Sequence, residues 1–140
     1  MSFEFNRNLQ DANVNPAAFT LGTAGTTVTS AAIDLGADIQ APEHMELELS
    51  VPALTTTMNT GTNTAGVTYI VEASTTSTFA AIARNLIFEN YAGSTTTALG
   101  AKVLRCRLPA NCPQFVRAKV IPGTTSGDMS TLAATLVARF

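Results

Sequence analysis

Tryptophan is absent from this 140-residue sequence, histidine occurs once and cysteine twice. Charge is scarce too: 8 Lys+Arg stand against 10 Asp+Glu, 13% of all residues, for a formal net charge of -2. That share is about half of an ordinary domain's. Each shortage excludes something. Affinity for phosphate backbones comes mainly from clustered Lys and Arg, so the balance excludes a generic nucleic-acid binder. Two cysteines cannot build a disulfide scaffold, and the spacing of Cys106 and Cys112 matches no zinc motif, so two separate buried thiols are expected. No apolar run approaches the ~18 residues of a membrane helix, and no membrane partner is expected. The start, Met1-Ser2-Phe3-Glu4-Phe5-Asn6-Arg7, lacks a basic segment leading into an apolar core, and no Asn-x-Ser/Thr acceptor occurs. The expectation is synthesis and folding in a cytosol.

Threonine fills the gap left by charge, with 22 residues, matched by 22 alanines. Hydroxyls keep such a surface wet, and β-branched threonine favours strands over helices. The patterning agrees. From His44 to Val51 the odd positions are apolar and the even ones polar, a half-buried strand that Pro52 ends. Val67–Ala73 reads as a strand buried on one face and partly covered on the other. Val103–Leu108 turns Leu104, Cys106 and Leu108 inward, and Phe115–Val120 does the same with Val116, Ala118 and Val120. The turn residues Pro109–Pro113 between them leave a hairpin and a crossing between sheets as two readings. Leu132, Ala134, Leu136, Ala138 and Phe140 line one row of a final strand, and further strands are expected over Thr26–Leu35 and Leu86–Tyr91.

About eight antiparallel strands separated by Gly, Thr, Pro and Asn loops predict an all-β fold, a β-sandwich or jelly roll. One segment competes: Phe79, Ile82, Ala83, Leu86 and Ile87 fall at helical spacing behind the candidate caps Ser77 and Thr78. A short helix over 79–85 and an irregular loop both fit. The Thr-rich stretches 55–64, 74–78, 94–97 and 124–126 read as loops. Residues 1–20 lack a clear period and read as an N-terminal arm lying over its own sandwich or a neighbour; residues 21–140 form a single domain.

No catalytic constellation emerges. Any Ser-His-Asp or Cys-His site would need His44, which begins a wet strand face beside Glu46 and Glu48 and reads as an exposed imidazole. Those three side chains share a face and are the only metal-ligand set that spacing offers, yet alternating charge on a solvated strand explains them without an ion. Nothing nominates a glycosidase pair among Asp11, Asp34, Asp38, Glu72, Glu89 and Asp128. Gly22-x-x-Gly25 lacks the rest of a dinucleotide fingerprint. Gly123-Thr124-Thr125-Ser126-Gly127 misplaces the serine of a nucleophile elbow and reads as a hairpin tip between the strands at 115 and 131. Arg105, Arg107, Arg117 and Lys119 are expected to share a positive patch suited to an acidic protein partner, since no aromatics are interleaved for nucleic acid. No cofactor is implied.

The order of features resembles a known family. Leu104-Arg105-Cys106-Arg107-Leu108-Pro109, then Gln114-Phe115-Val116-Arg117-Ala118-Lys119-Val120, then Gly127-Asp128-Met129-Ser130 and the strand through Val137 resemble small structural proteins of tailed bacteriophages. The Asn-rich start, and Tyr69-Ile70-Val71-Glu72-Ala73-Ser74 followed by Phe79, look like the capsid cement (decoration) proteins of the Bordetella-phage type. The resemblance implies a jelly-roll virion protein, a homodimer without enzymatic activity, that binds the outer capsid surface and bridges neighbouring major capsid protein subunits. It brings no catalytic residues. Phe3 and Phe5, with Arg7, are the expected anchors at that protein interface, because aromatics in a polar, aperiodic arm need a surface to cover. The alternatives are a trimeric decoration protein and a carbohydrate- or receptor-binding module of a phage tail or fibre; the latter usually presents Trp or Tyr platforms, and only Tyr69 and Tyr91 are present.

Overall fold

A computed structural model of the chain describes residues 16–36, 45–60 and 66–139. Its strands are β1 (Ala17–Thr20), β2 (Val28–Thr29), β3 (Ile33–Asp34), β4 (Glu46–Val51), β5 (Val67–Ser74), β6 (Arg84–Tyr91), β7 (Lys102–Arg107), β8 (Phe115–Pro122) and β9 (Ala133–Arg139). They form two antiparallel sheets, one ordered β1-β9-β4-β7 and the other β2-β8-β5-β6, with β3 also on β8. The ladders nest: β5 pairs β6, β4 pairs β7, β2 and β3 pair β8, and β1 pairs β9. A long antiparallel ribbon wrapped into two facing sheets gives this order, the jelly roll. The fold class expected from strand alternation is the one observed, with no helix among the described residues.

Alternation decides which side chains face between the sheets. Met45, Leu47, Leu49 and Val51 from β4 and its approach are buried, as are Val116, Ala118 and Val120 of β8 and Ala134, Leu136 and Ala138 of β9. One inward row crosses the whole first sheet, Ala17–Leu136–Leu49–Leu104. Strand β5 is covered on both faces, and only Thr68 is partly open.

Several expectations change. The strand over Thr26–Leu35 is broken in two. Thr29 faces Lys119 but Ile33 faces Val116, so one extra residue bulges between the pieces. Ser30 holds the break: its amide donates to the Ala118 carbonyl at 2.9 Å, and its hydroxyl accepts from the Ala118 amide at 3.0 Å. No helix forms over 79–85. Phe79 adopts a left-handed φ of 53° and is buried, its amide donating to the Thr76 carbonyl at 3.1 Å, and the chain re-enters the sheet at Arg84. Residues 17–20, read as the end of the arm, are the edge strand β1. Gly123–Gly127 is not a hairpin tip, because β8 and β9 lie in different sheets and the loop crosses between them. The connection at 109–113 likewise crosses between sheets, one of the two readings its turn residues allowed.

Candidate functional site

The proposed anchors Phe3, Phe5 and Arg7 lie outside the described residues, as do His44, Asp11 and Asp38. Among the described residues no three His, Cys, Asp or Glu side chains gather as metal ligands.

The four cations expected in one patch are split between the sheets, Arg105 and Arg107 on β7 and Arg117 and Lys119 on β8. Alternation places them on two outer faces, and most are engaged with carboxylates. On the first sheet Glu48 receives a fork from Arg139, Nε to Oε2 at 3.1 Å and Nη2 to Oε1 at 3.2 Å, while Arg105 approaches at 3.3 Å. The arginines cover that carboxylate, so the strand face expected to be fully wet is partly closed at Glu48. On the second sheet Glu72, 1% exposed, takes Arg117 at 2.7 Å through Nε and 2.6 Å through Nη2, and Lys119 at 3.3 Å. Phe79 lies on the Arg117 guanidinium, 4.2 Å from ring centre to Cζ. A buried carboxylate is tolerable only with such partners.

Both cysteines are free and half-buried, not the fully enclosed thiols expected. Burial pushes the Cys112 thiol up to about 11 and raises Cys106 as well. Thiolate is the reactive form, so neither is a nucleophile near neutrality. Alkylation by iodoacetamide is expected to be slow at pH 7.5 and to accelerate with pH through 9; rapid modification of both thiols at pH 7.5 would contradict this environment.

Tyr69 is fully buried against Tyr91, ring centres 6.1 Å apart and edge-on, and its hydroxyl meets no hydrogen-bond partner among the described residues. A buried unsatisfied hydroxyl costs about 1–3 kcal/mol. Tyr69→Phe, which keeps the ring and removes the orphan oxygen, should therefore raise the urea midpoint; a lower midpoint would mean the hydroxyl is satisfied in solution.

The most organised surface is one end of the jelly roll, where four crossing loops meet: 21–27, 52–66 (described to 60 and at 66), 92–101 and 123–132. Backbone hydrogen bonds tie them together. Gly25 donates to Gly123 at 3.1 Å, Gly127 to Met58 at 3.0 Å, Gly123 to Gly66 at 2.8 Å and Ser94 to Asn59 at 2.7 Å, and Leu54 bridges Leu99. The Thr60 hydroxyl donates to the Thr57 and Thr125 carbonyls, both at 3.1 Å. Two glycines permit this approach: a Cβ on Gly127 would run into the Thr57 carbonyl oxygen, and one on Gly66 into that of Tyr91. Backbone cannot yield as a side-chain tip can, so Gly127→Ala should cost about 1–3 kcal/mol by the usual penalty of overpacking. Thermal melting checks this, and an unchanged midpoint would mean the loops do not hold one another. Asp128 is the loops' one charged residue. It accepts from the Ser130 amide at 2.9 Å, which holds its carboxyl below the usual range. That contribution is present above the ordinary carboxylate pKa and is lost as pH falls through the lowered one.

Of the stretches read as separate loops, the described part of 55–64 (to residue 60), 94–97 and 124–126 are thus brought together, whereas 74–78 lies at the other end. No protein-family model matches the chain, and no curated protein matches it. Among solved structures the chain is similar to the K3 cleaved adhesin domain of Lys-gingipain from Porphyromonas gingivalis w83, with a TM-score of 0.40 and 18% sequence identity. The match covers 80% of this chain and 58% of that one, and it bears on neither activity nor partner.

Proposed function

We propose that the chain is a structural cement protein of a tailed-phage capsid, a non-enzymatic homodimer that sits on the outer surface of the virion and bridges neighbouring major capsid protein subunits. The observation that carries this reading is the division of the surface. The buried and part-buried carboxylates Glu48 and Glu72 are neutralised within the molecule, while the long loops carry a single charge, Asp128, and are hydroxyl-rich and bonded to one another. Such a body stays soluble before docking and adds contacts afterward; whatever binds only the assembled shell stabilises it by mass action. The sequence resemblance supplies the capsid itself.

The second reading, a carbohydrate- or receptor-binding module of a tail or fibre, needs open aromatic rings. Tyr69 is buried, and Tyr91 is half-buried with Lys102 over its ring at 5.2 Å from the centre. Among the described residues Phe88, 60% exposed on the outer face of β6, is the open aromatic that favours it. Co-sedimentation separates the two. Heads of the encoding phage, produced without this chain, should take it up and become more resistant to heat and low salt. Failure to bind or to strengthen them would overturn the cement reading, and retention on a glycan array would then favour the second.

A further inference from the structure

We infer that the β6 edge of the sandwich joins a second copy of the chain, β6 pairing antiparallel with its two-fold mate so that Arg84 of each copy stands opposite Glu89 of the other. The inference rests on the homodimeric cement reading and names the surface that forms the dimer. Three observations converge on this edge.

The first is apolar exposure. Among the described residues the large hydrophobics left open are Ile82, Phe88 and Val103. Phe88 lies on β6, Ile82 just before it, and Val103 on β7, the edge of the facing sheet that lies against β6. Tyr91, at the end of β6, is half-buried under Lys102. Open apolar side chains gathered along one side of a sandwich mark a contact surface.

The second is the open ladder. Strand β6 ends the order of its sheet, so among the described residues it pairs with β5 alone, and its other side presents backbone N–H and C=O groups without a ladder partner. The remaining edges suit a second copy less. Strand β1 is four residues long, and β2 and β3 are two-residue pieces parted at Ser30. Strand β7 carries Lys102, Arg105 and Arg107 with no carboxylate, so two copies of it would set like charges together.

The third is the order of charges on β6. Arg84 and Glu89 are exposed, and neither has an ion-pair partner among the described residues. The ladder with β5 sets Arg84, Ile87 and Glu89 opposite Ala73, Val71 and Tyr69 on one face, and Asn85 and Phe88 opposite Glu72 and Ile70 on the other; Leu86 is the extra residue of a bulge that resets the alternation. Directly opposed residues of an antiparallel pair share a face. The register that sets Arg84 against Glu89 therefore also sets Asn85 against Phe88 and Leu86 against Ile87, each pair on one face, and two-fold symmetry makes every such contact twice. An arbitrary strand meets a bulge and two charges, which discourage pairing, whereas a reversed copy of β6 meets both charges with their opposites.

The test is analytical ultracentrifugation of the intact chain, in which wild type should sediment as a dimer that dissociates on dilution. Arg84→Glu sets carboxylates against each other at both ends of the pairing and should weaken the dimer at least about tenfold, as should Glu89→Arg. Arg84→Glu/Glu89→Arg keeps the order with the signs exchanged, and its dissociation constant should return to within about threefold of wild type. Should a single variant melt early, Asn85→Cys/Phe88→Cys reads the same register: mild oxidation should link two copies covalently, and wild type should stay unlinked. If wild type is a dimer that the single reversals leave unchanged, the inference is overturned while the homodimeric reading stands on another surface. A double reversal as weak as the singles, or a cysteine pair that gives no linked dimer, also overturns it. A wild type that stays monomeric overturns the inference together with the homodimer, and uptake by heads lacking the chain then judges the cement role separately.

Discussion

Arg117→Met is expected to destabilise the fold by about 3–5 kcal/mol, the usual cost of removing one partner from a buried ion pair. At roughly 4 °C per kcal/mol for a domain of this size, the melting temperature should fall by about 10–20 °C. The reason is what the substitution leaves behind. The Glu72 side chain is 2% exposed, and the guanidinium gives it its two shortest contacts, at 2.6 and 2.7 Å. Methionine fills much of the same volume but donates nothing, so the carboxylate stays desolvated with Lys119 alone at 3.3 Å. Phe79 loses the cation beneath its ring as well, and with it part of what offsets a left-handed φ at a bulky residue. Lys119→Met should cost far less, since the fork from Arg117 remains. Glu72→Gln/Arg117→Met removes both charges and should recover much of the loss, because an apolar or neutral replacement of a buried pair is often nearly neutral. Equal melting temperatures for Arg117→Met and Lys119→Met would show that the guanidinium is not the partner that matters.

Leu49→Ala should cost about 3–5 kcal/mol, and Leu136→Ala a similar amount, from lost burial and the cavity left in a core that cannot collapse. Both are fully buried and directly opposed across β4 and β9. Leu104 continues the same row on the edge strand β7, where it is half-buried, so Leu104→Ala should cost only about 1–2 kcal/mol. Denaturant midpoints for the three variants test whether the core is centred on the β9–β4 pair. A cost at Leu104 equal to that at Leu49 would move that centre to the edge.

Much of this was legible from residue order. The runs at 45–51, 116–120 and 134–138 announce which side chains turn inward, because a period of two leaves one choice of face. The outward alternates are legible too: Glu72 on β5 and Arg117 and Lys119 on β8 all stand on the face away from the core. What alternation does not carry is which strands become neighbours, since pairing between residues 45 and 47 positions apart depends on topology. Arg105 and Arg117 therefore looked alike in sequence, and an expected common patch became two separate ion networks. The break at Ser30 was hidden because a hydroxyl takes over a carbonyl's role in the ladder. Phe79 misled for a different reason: apolar residues at helical spacing also arise when a loop folds one ring over a sheet, and here a contact with Arg117 outweighs local helix preference. The gathering of three threonine stretches at one end follows from the nested ladders, which no local pattern records.

Those ladders also set an order of assembly. The innermost pair, β5 with β6, closes a short connection, whereas β1 waits for β9: Thr20 faces Ala133. Because β9 lies between β1 and β4, the first sheet cannot form as a continuous ladder until nearly all the described chain has left the ribosome. Closing such distant contacts requires loop entropy to be lost before packing is gained, which places folding in the slow, millisecond-to-second class of β-rich domains. During synthesis the β5–β6 hairpin and its β8 partner can pair while Leu47 and Leu49 still lack their in-sheet neighbours Ala138 and Leu136. A nascent chain stalled before residue 133 should accordingly expose that apolar row to chaperones.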